Sequence, residues 1–238
     1  MAKEMTTAKD RAAKAAADLV RDGMIVGLGS GTTSALMIER LGERVGEEGI
    51  KILAVPTSVA TAKLARHFGI PVRELDDVPR VDISLDGADE IDGRFRMIKG
   101  RGGALLREKI VASASSWRVT MVTSEKRVDR LGLHAPVPVE VSPVGIKYTE
   151  ILLQGLGART RIRRLADGKP FLTDGMNAIV DCHFDGIDDP DDLDTKLHRT
   201  VGVFESGLFI GLCDTLLIGN DSGVERLESG LRPLGSSV

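Results

Sequence analysis

Residues 82–109 read DISLDGADEIDGRFRMIKGRGGALLREK, and both the fold class and the chemistry turn on this stretch. Val81, Ile83 and Leu85 alternate with Asp82, Ser84 and Asp86, the period of two expected of a half-buried strand. The strand should stop at Asp86-Gly87, which leaves Asp86 and Asp89 just past its end, where open α/β sheets bind ligands. Asp92-Gly93 is a tight-turn signal, and residues 94–98 are expected to return as a second strand. Lys99 follows, then Gly100, Gly102 and Gly103, which let backbone amides approach a ligand as a helix opens. On that helix Glu108 shares a face with Ala104, Leu105, Val111 and Ala112. Mostly apolar company disfavours a carboxylate's charged form and is expected to raise its pKa toward that of a working base. A plainer reading exists for each piece: an Asp-rich loop is a solvated turn, and a glutamate between Arg107 and Lys109 is a surface charge. Their concentration around one glycine-rich turn is what favours chemistry.

Upstream, Thr6 or Thr7 can cap a helix running to about Arg21, with Asp22-Gly23 as its stop. Residues 24–28 read as a short apolar strand, followed by Gly29-Ser30-Gly31-Thr32-Thr33-Ser34 and a helix containing Leu36, Ile38 and Leu41. A strand, a Gly/Ser/Thr loop and a helix make an anion site, because unpaired amides and the positive helix end face the ligand. A dinucleotide fingerprint would need glycine at Thr32, and no lysine stands at the P-loop position. A monophosphate held by amides and the hydroxyls of Ser30, Thr32 and Thr33 fits better, although a plain βα turn with a Ser/Thr cap accounts for the same residues. Further strands are expected at residues 50–55, 70–75 and 117–123, with a helix from Pro56-Thr57-Ser58 to about Phe68. Thr57 and Ser58 read equally as ligand neighbours or as caps. Lys126 lies past the end of the last of these strands. Strand and helix alternate throughout, so a mostly parallel, Rossmann-like α/β sheet is expected.

The pattern changes after Leu131. Strands at 136–141, 158–165 and 171–184 and a final one at 201–204 alternate with helices at 144–153 and 188–200, and Asp167-Gly168 marks a hairpin. That βαββαβ order is the ferredoxin-like arrangement. Residues 215–219 are apolar enough to rejoin the first sheet. The expected organisation is a Rossmann-like domain of residues 1–132 plus 208–238, with an inserted α+β ferredoxin-like domain at 133–207. Residues 230–238 read as a loose tail, and no internal repeat or low-complexity linker is present.

Composition narrows the classes. The 238 residues are 42% hydrophobic and 28% charged, the balance of a globular chain. A net charge of −3 gives no basic field for nucleic acid, and no apolar run nears the roughly 20 residues that span a bilayer. The N-terminus lacks a signal-peptide core. Cys182 and Cys213 are expected as free core thiols in a cytoplasmic protein. His67, His134, His183 and His198 show no metal-ligand spacing, and no G-x-S-x-G elbow is present.

Gly27-Leu-Gly-Ser-Gly-Thr-Thr, Asp86-Gly-Ala-Asp-Glu, Lys99-Gly-Arg-Gly-Gly, Arg107-Glu-Lys and Thr173-Asp-Gly-Met-Asn together resemble the ribose-5-phosphate isomerase family of the A type. The match runs over nearly the whole chain. It is most specific where Asp-Gly-Ala-Asp-Glu is followed by Lys-Gly and then by a glutamate nine residues after that lysine. The resemblance implies an isomerase interconverting ribose 5-phosphate and ribulose 5-phosphate, with the general base at Glu108. It implies substrate binding by Ser30, Gly31, Thr32 and Thr33, by Asp86, Gly87, Ala88 and Asp89, and by Lys99, Gly100, Arg101 and Gly102. Lys126 is implied as a further binding lysine and Lys9, less securely, as a basic residue near the phosphate. No metal or other cofactor, a cytoplasmic setting and a homodimer or homotetramer are implied as well. Aldose–ketose isomerisation also needs support for an oxyanion, a role expected of Lys99 and the glycine amides. It needs a group that moves protons between the two oxygens and helps open the ring, expected of Asp86, with Asp89 positioning hydroxyls. The sequence departs from the family at Arg101, where glycine is frequent, at Thr123, where aspartate is frequent, and at Met176, which interrupts an Asn-Gly-Asn hairpin. A similar fold occurs in amino-sugar phosphate isomerases, CoA transferases and sugar-phosphate sensor domains. The N-terminal segment is too short for a sensor's DNA-binding module, and a CoA transferase would form a glutamyl thioester.

Overall fold

A computed structural model describes residues 7–230, so Thr6 and tail residues 231–238 lie outside the described residues. In chain order the elements are α1 (Ala8–Ala17), β1 (Ile25–Leu28), α2 (Thr32–Gly46), β2 (Leu53–Pro56), α3 (Val59–His67) and β3 (Val81–Gly87). Then come β4 (Glu90–Ile91), β5 (Met97–Ile98), α4 (Leu105–Ser113), β6 (Ser115–Thr123), β7 (Val137–Val141), α5 (Ile146–Gln154), β8 (Arg159–Ile162) and β9 (Ala178–His183). The chain closes with α6 (Pro190–His198), β10 (Val203–Ser206), β11 (Leu208–Phe209), β12 (Thr215–Gly219) and β13 (Val224–Glu228). These elements fall into two compact units: Met1–Gly87, Ile110–Lys126 and Leu212–Val238 form one, and Ala88–Lys109 and Arg127–Gly211 form the other. The second unit thus takes in residues 88–109, 127–132 and 208–211 as well as the expected 133–207, and within it β4 and β5 join β11 in a small sheet of their own.

The first unit is the expected mostly parallel α/β sheet, in the order β13-β12-β6-β3-β1-β2. Every pairing is parallel except that of β12 with the edge strand β13. Thr7 caps α1 by a reciprocal capping box with Asp10, and the helix ends at Ala17 rather than near Arg21. The small side chains of Ala12, Ala13, Ala16 and Ala17 pack flat on the core, and Gly219 lets α1 approach β12. A Cβ on Gly219 would stand 1.9 Å from the Ala8 carbonyl oxygen. Residues 70–75 do not form a strand: Val72 makes an isolated bridge to Ala54, and the chain then turns through residues 75–77. Beyond the edge strand β2 there is no longer run of partners to extend it. Ser84 is buried too, because Gly27 leaves room for Val111 of α4 to come down beside it.

In the second unit β10-β7-β9-β8 form an antiparallel sheet, and with α5 and α6 they give the ferredoxin-like order inferred from the sequence. Its core is Val137, Val139, Val141, Leu153, Val180, Leu193 and Leu197. Asp189 caps α6 with Pro190 in its first turn, as the Asp-Pro-Asp-Asp run implies. The expected strand over residues 94–98 shrinks to Met97–Ile98. Asp92 Oδ1 accepts from the amides of Arg94 and Arg96, which holds those residues in the turn, and Phe95, not Gly93, takes the left-handed conformation. Met176 is left-handed too, at φ 62°, inside the Thr173–Asn177 hairpin.

Cys182 and Cys213 are free and buried, and burial pushes both thiols up to about 12. Since the thiolate is the reactive form, a disulfide-exchange reagent at pH 8 should label neither in the native protein and both once it is unfolded. Rapid labelling of the native protein would contradict these positions.

Candidate active site

In the first unit the strand order turns back at β1, which has β2 on one side and β3 on the other. Ligands in open α/β sheets bind at the carboxyl ends beside such a reversal. Parallel pairing sets Leu28 beside Leu85, so the glycine loop and Asp86 leave the sheet together. The Gly29 amide donates to the Leu85 carbonyl (2.9 Å), and a Cβ at Gly29 would stand 2.0 Å from Asp86 Oδ1. Only glycine fits there. Asp86 Oδ1 accepts from the Gly87 amide (2.8 Å) and from Ser34 Oγ (3.2 Å). Ser30 Oγ lies 2.9 Å from Thr57 Oγ1, 2.9 Å from Ser58 Oγ and 3.0 Å from Thr61 Oγ1. The Thr57 and Thr61 hydroxyls in turn donate to the carbonyls of Leu28 and Gly29. Ser58 also caps α3 by accepting from the Thr61 amide, which is the capping reading of that residue.

α2 begins at Thr32 with Gly31 as its cap residue at φ 106° and no side-chain cap, which suits an anion at that end. Gly31 and Thr32 are exposed and Thr33 half-buried. Lys9 Nζ reaches Thr32 Oγ1 at 3.4 Å, so α1 brings Lys9 to this loop. Lys126 closes the short turn after β6. The neighbouring Glu125 carboxyl is held below the ordinary carboxylate range by the Thr123 hydroxyl, with smaller support from the charges of Lys126 and Lys9. Thr123 therefore has its own partner in Glu125.

In the second unit Asp89 is tied at both ends. Its amide donates to the Ile98 carbonyl (2.8 Å), and its Oδ2 accepts from the Arg101 amide (3.0 Å). Arg101 thus contributes its backbone, while its side chain is exposed. Gly100 is left-handed at φ 103°, and Gly102 is exposed. Ala88 and Asp89 are half-buried just past β3. Lys99 and Glu108 are buried, 5% and 6% exposed, and Lys99 Nζ stands 3.5 Å from Glu108 Oε2. The expected apolar company of Glu108 is only half the picture: burial penalises its charge, and the ammonium supports it. Lys99 and Glu108, which the sequence reading assigns to one reaction, are thus neighbours.

Several residues at this site carry no local signal. Arg163, next after β8, donates to the carbonyls of Gly100 (3.1 Å) and Arg101 (3.0 Å) and pairs with Asp181. It fixes the loop's carbonyls, and only the three-dimensional placement of β8 reveals this. Phe209, a hundred residues beyond Glu108, lies against Lys99. Ser34 and Thr61 join the hydroxyl and carboxylate contacts of the first unit. His198 meets two carboxylates despite its unpromising spacing: Nε2 is 2.7 Å from Glu205 Oε1 and Nδ1 3.4 Å from Asp194 Oδ1. Ligand atoms of these three residues lie within 4.8 Å of one another. Lys109 Nζ already sits 2.6 Å from the same Glu205 oxygen, so the cluster is neutralised by an ammonium where a cation would have to bind.

A buried carboxylate beside a buried ammonium, with a glycine-rich loop on the same segment, is equipped to move a proton and stabilise the oxyanion that results. Residues 53–223 match the family model of ribose 5-phosphate isomerase A (phosphoriboisomerase A). The chain is 45% identical over 221 residues to the ribose-5-phosphate isomerase A of Synechococcus sp. (strain JA-3-3Ab), covering 92% of this chain and 96% of that one. It is 47% identical over 227 residues to the enzyme of the same name from Gluconobacter oxydans, covering 94% and 98%. Among solved structures, ribose 5-phosphate isomerase A of Methanocaldococcus jannaschii superposes with a TM-score of 0.89 at 38% identity, over 93% of this chain and 98% of that one. A D-ribose-5-phosphate isomerase in complex with phospho-erythronic acid gives 0.90 at 38% identity, over 93% and 97%.

Two glycine variants separate close packing from backbone strain. Gly29→Ala should lose about 1–3 kcal/mol in urea unfolding, because the added methyl must displace Asp86. Gly31→Ala, with no atom within 4 Å of its Cβ, should lose only the cost of its backbone conformation, about 1–3 kcal/mol, and should lose the same amount in an Asp86→Ala background. A Gly29→Ala loss that is not reduced in the Asp86→Ala background would mean that Asp86 is not held against Gly29.

Proposed function

Because the chain belongs to the ribose 5-phosphate isomerase A family, we propose that its buried Lys99–Glu108 pair carries the interconversion of D-ribose 5-phosphate and D-ribulose 5-phosphate. This aldose–ketose isomerisation is a step of the non-oxidative pentose phosphate pathway. One observation carries the assignment of roles: Glu108 Oε2 stands 3.5 Å from Lys99 Nζ with both side chains removed from water.

In the open-chain aldose, the Glu108 carboxylate takes the proton from carbon 2. The carbon–hydrogen electron pair becomes the carbon 1–carbon 2 double bond, and the carbonyl electrons move onto oxygen 1 as an enediolate. Lys99 and the amides of the Gly100–Gly102 loop stabilise that charge. Asp86 moves a proton from oxygen 2 to oxygen 1, and Glu108 returns its own proton to carbon 1, leaving the ketone at carbon 2. Asp86 also assists ring opening, and Asp89, with Gly87 and Ala88, places the sugar hydroxyls. Ser30, Gly31, Thr32 and Thr33 hold the phosphate, with Lys9 and Lys126 supplying positive charge. Gripping the substrate by its non-reacting end makes binding energy available for orientation. Each proton has an assigned side chain, and no metal or other cofactor takes part in the scheme.

The working form is a homodimer or homotetramer. Val144, Tyr148 and Ile151 are 85%, 63% and 60% exposed, and Tyr148 and Ile151 sit on one face of α5, which supports a contact between copies there. A cytoplasmic setting is supported by the two free thiols. Among the described residues no helix is long and apolar enough to cross a membrane.

Purified protein mixed with ribose 5-phosphate and a chelator should form ketose. Glu108→Gln should lower kcat by about 10²- to 10⁴-fold, the usual share of general acid–base catalysis. Turnover near the wild-type rate would remove Glu108 from the reaction. Lys99→Ala should lower kcat more than it raises KM, and an effect confined to KM would contradict the oxyanion role.

A further inference from the structure

The loop between Lys99 and α4 is a four-residue turn whose middle peptide can face either way. The Gly103 amide donates to the Gly100 carbonyl at 3.0 Å, which leaves Arg101 and Gly102 at the two central positions. Turns of types I and II share that closing bond and differ by a flip of the central peptide, and type II needs a left-handed residue at the second central position. Gly102 lies outside the left-handed region that Gly100 (φ 103°) and Gly103 (φ 83°) occupy, so the turn is not of type II. Glycine enters that region at no steric cost, so the turn residues themselves leave the flip open. What fixes the peptide is Arg163, whose Nη1 donates to the Gly100 carbonyl (3.1 Å) and to the Arg101 carbonyl (3.0 Å). The guanidinium is held in turn: Nε donates to Asp181 Oδ2 at 3.0 Å and Nη2 to Asp181 Oδ1, and its Cζ lies 5.7 Å from the centroid of the Phe171 ring.

In a trans peptide the carbonyl and the N–H point in opposite directions. With both carbonyls drawn to one guanidinium nitrogen, the amides of Arg101 and Gly102 face away from it. The Arg101 amide meets Asp89 Oδ2 at 3.0 Å, so they face the side of the carboxylate proposed to place the sugar hydroxyls. Among the described residues nothing accepts from the Gly102 amide. We propose that Arg163 is a positioning residue for the isomerisation, holding the Arg101–Gly102 peptide so that the Gly102 N–H is aimed at the oxyanion of the enediolate. A flip of this one peptide would turn the N–H away and put the Arg101 carbonyl oxygen in its place. Fixing the donor before the charge develops removes the cost of reorganising it during the reaction. Arginine suits the task because its planar fork grips a carboxylate along one edge and leaves the remaining nitrogen for the carbonyls.

This role rests on the isomerase reading, and its test separates the two. Arg163→Ala should lower kcat by about 10- to 100-fold with KM within about threefold of wild type, part of what one oxyanion donor supplies. Arg163→Lys keeps a cation for Asp181 without the fork. It should lose kcat in the same direction while melting close to wild type, and it carries the comparison should Arg163→Ala fail to fold. Replacing Gly102 with glycolic acid turns its N–H into an ester oxygen and should lower kcat by about 10²- to 10³-fold. In that ester protein the Arg163 substitution should then cost less than about threefold, since the donor it positions is gone. In a Gly102→Ala background, where a side chain resists the left-handed conformation, its cost should shrink likewise. An arginine that served only the fold would cost the same in all three backgrounds. That equality, full kcat in the ester protein, or full kcat in both Arg163 variants overturns the inference, and with Glu108→Gln impaired it leaves the Glu108 assignment standing. A Glu108→Gln protein that turns over at near the wild-type rate removes that assignment, and the inference with it.

Discussion

A carboxylate and an ammonium 3.5 Å apart, both out of water, are the costly feature of the second unit. Removing ions from water costs several kcal/mol each, and a buried pair often fails to recover that amount. The geometry around it is correspondingly over-determined. Gly207 and Gly100 let backbone segments close where no side chain would fit, Phe209 offers its ring, and Arg163 holds the carbonyls of the loop after Lys99. A surface ion pair would need none of these supports. Their presence is what a reacting pair requires, since a base misplaced by about 1 Å loses much of its rate advantage.

The first unit gathers the hydroxyls and amides proposed to meet the phosphate, and it does so without leaving the hydroxyls unsatisfied. The reversal of strand order at β1 opens the site, and Gly29 brings the loop against Asp86. Ser30 is then held by three neighbouring hydroxyls, two of which donate to carbonyls at the end of β1 and in the loop that follows. Hydroxyls can reorient as a ligand arrives, since each is both donor and acceptor. Lys9 comes to the same loop from α1 because alanines let that helix lie close to the sheet.

What the sequence discloses about these arrangements follows from how local the causes are. The alternation through Val81, Ile83 and Leu85 marks β3, the Asp-Pro start marks α6, and the glycine run marks the loop after Lys99, each because nearby residues determine the structure. Residues 70–75 have strand composition but only one bridging partner, so composition misleads there. Arg94–Arg96 are captured by Asp92, a side-chain contact that outweighs strand tendency over so short a run. β13 is polar on an exposed edge and gives little periodic signal. Of the residues proposed for the reaction, Glu108, Lys99, Asp86 and Asp89 are all legible within one stretch. Phe209 and Arg163 are not, since each reaches the site through strand pairing from distant sequence, and neither residue type announces a role at that spacing.

The central claim is that Glu108 is the group that meets the reacting carbon. An electrophilic substrate analogue, a bromoketone sugar phosphate, addresses it directly, because a carboxylate in that position displaces bromide and forms an ester. Peptide mapping by mass spectrometry after inactivation should find one ester per chain, on Glu108, formed in proportion to lost activity and blocked by ribose 5-phosphate. Complete inactivation with the label on another residue and Glu108 unmodified would contradict the account.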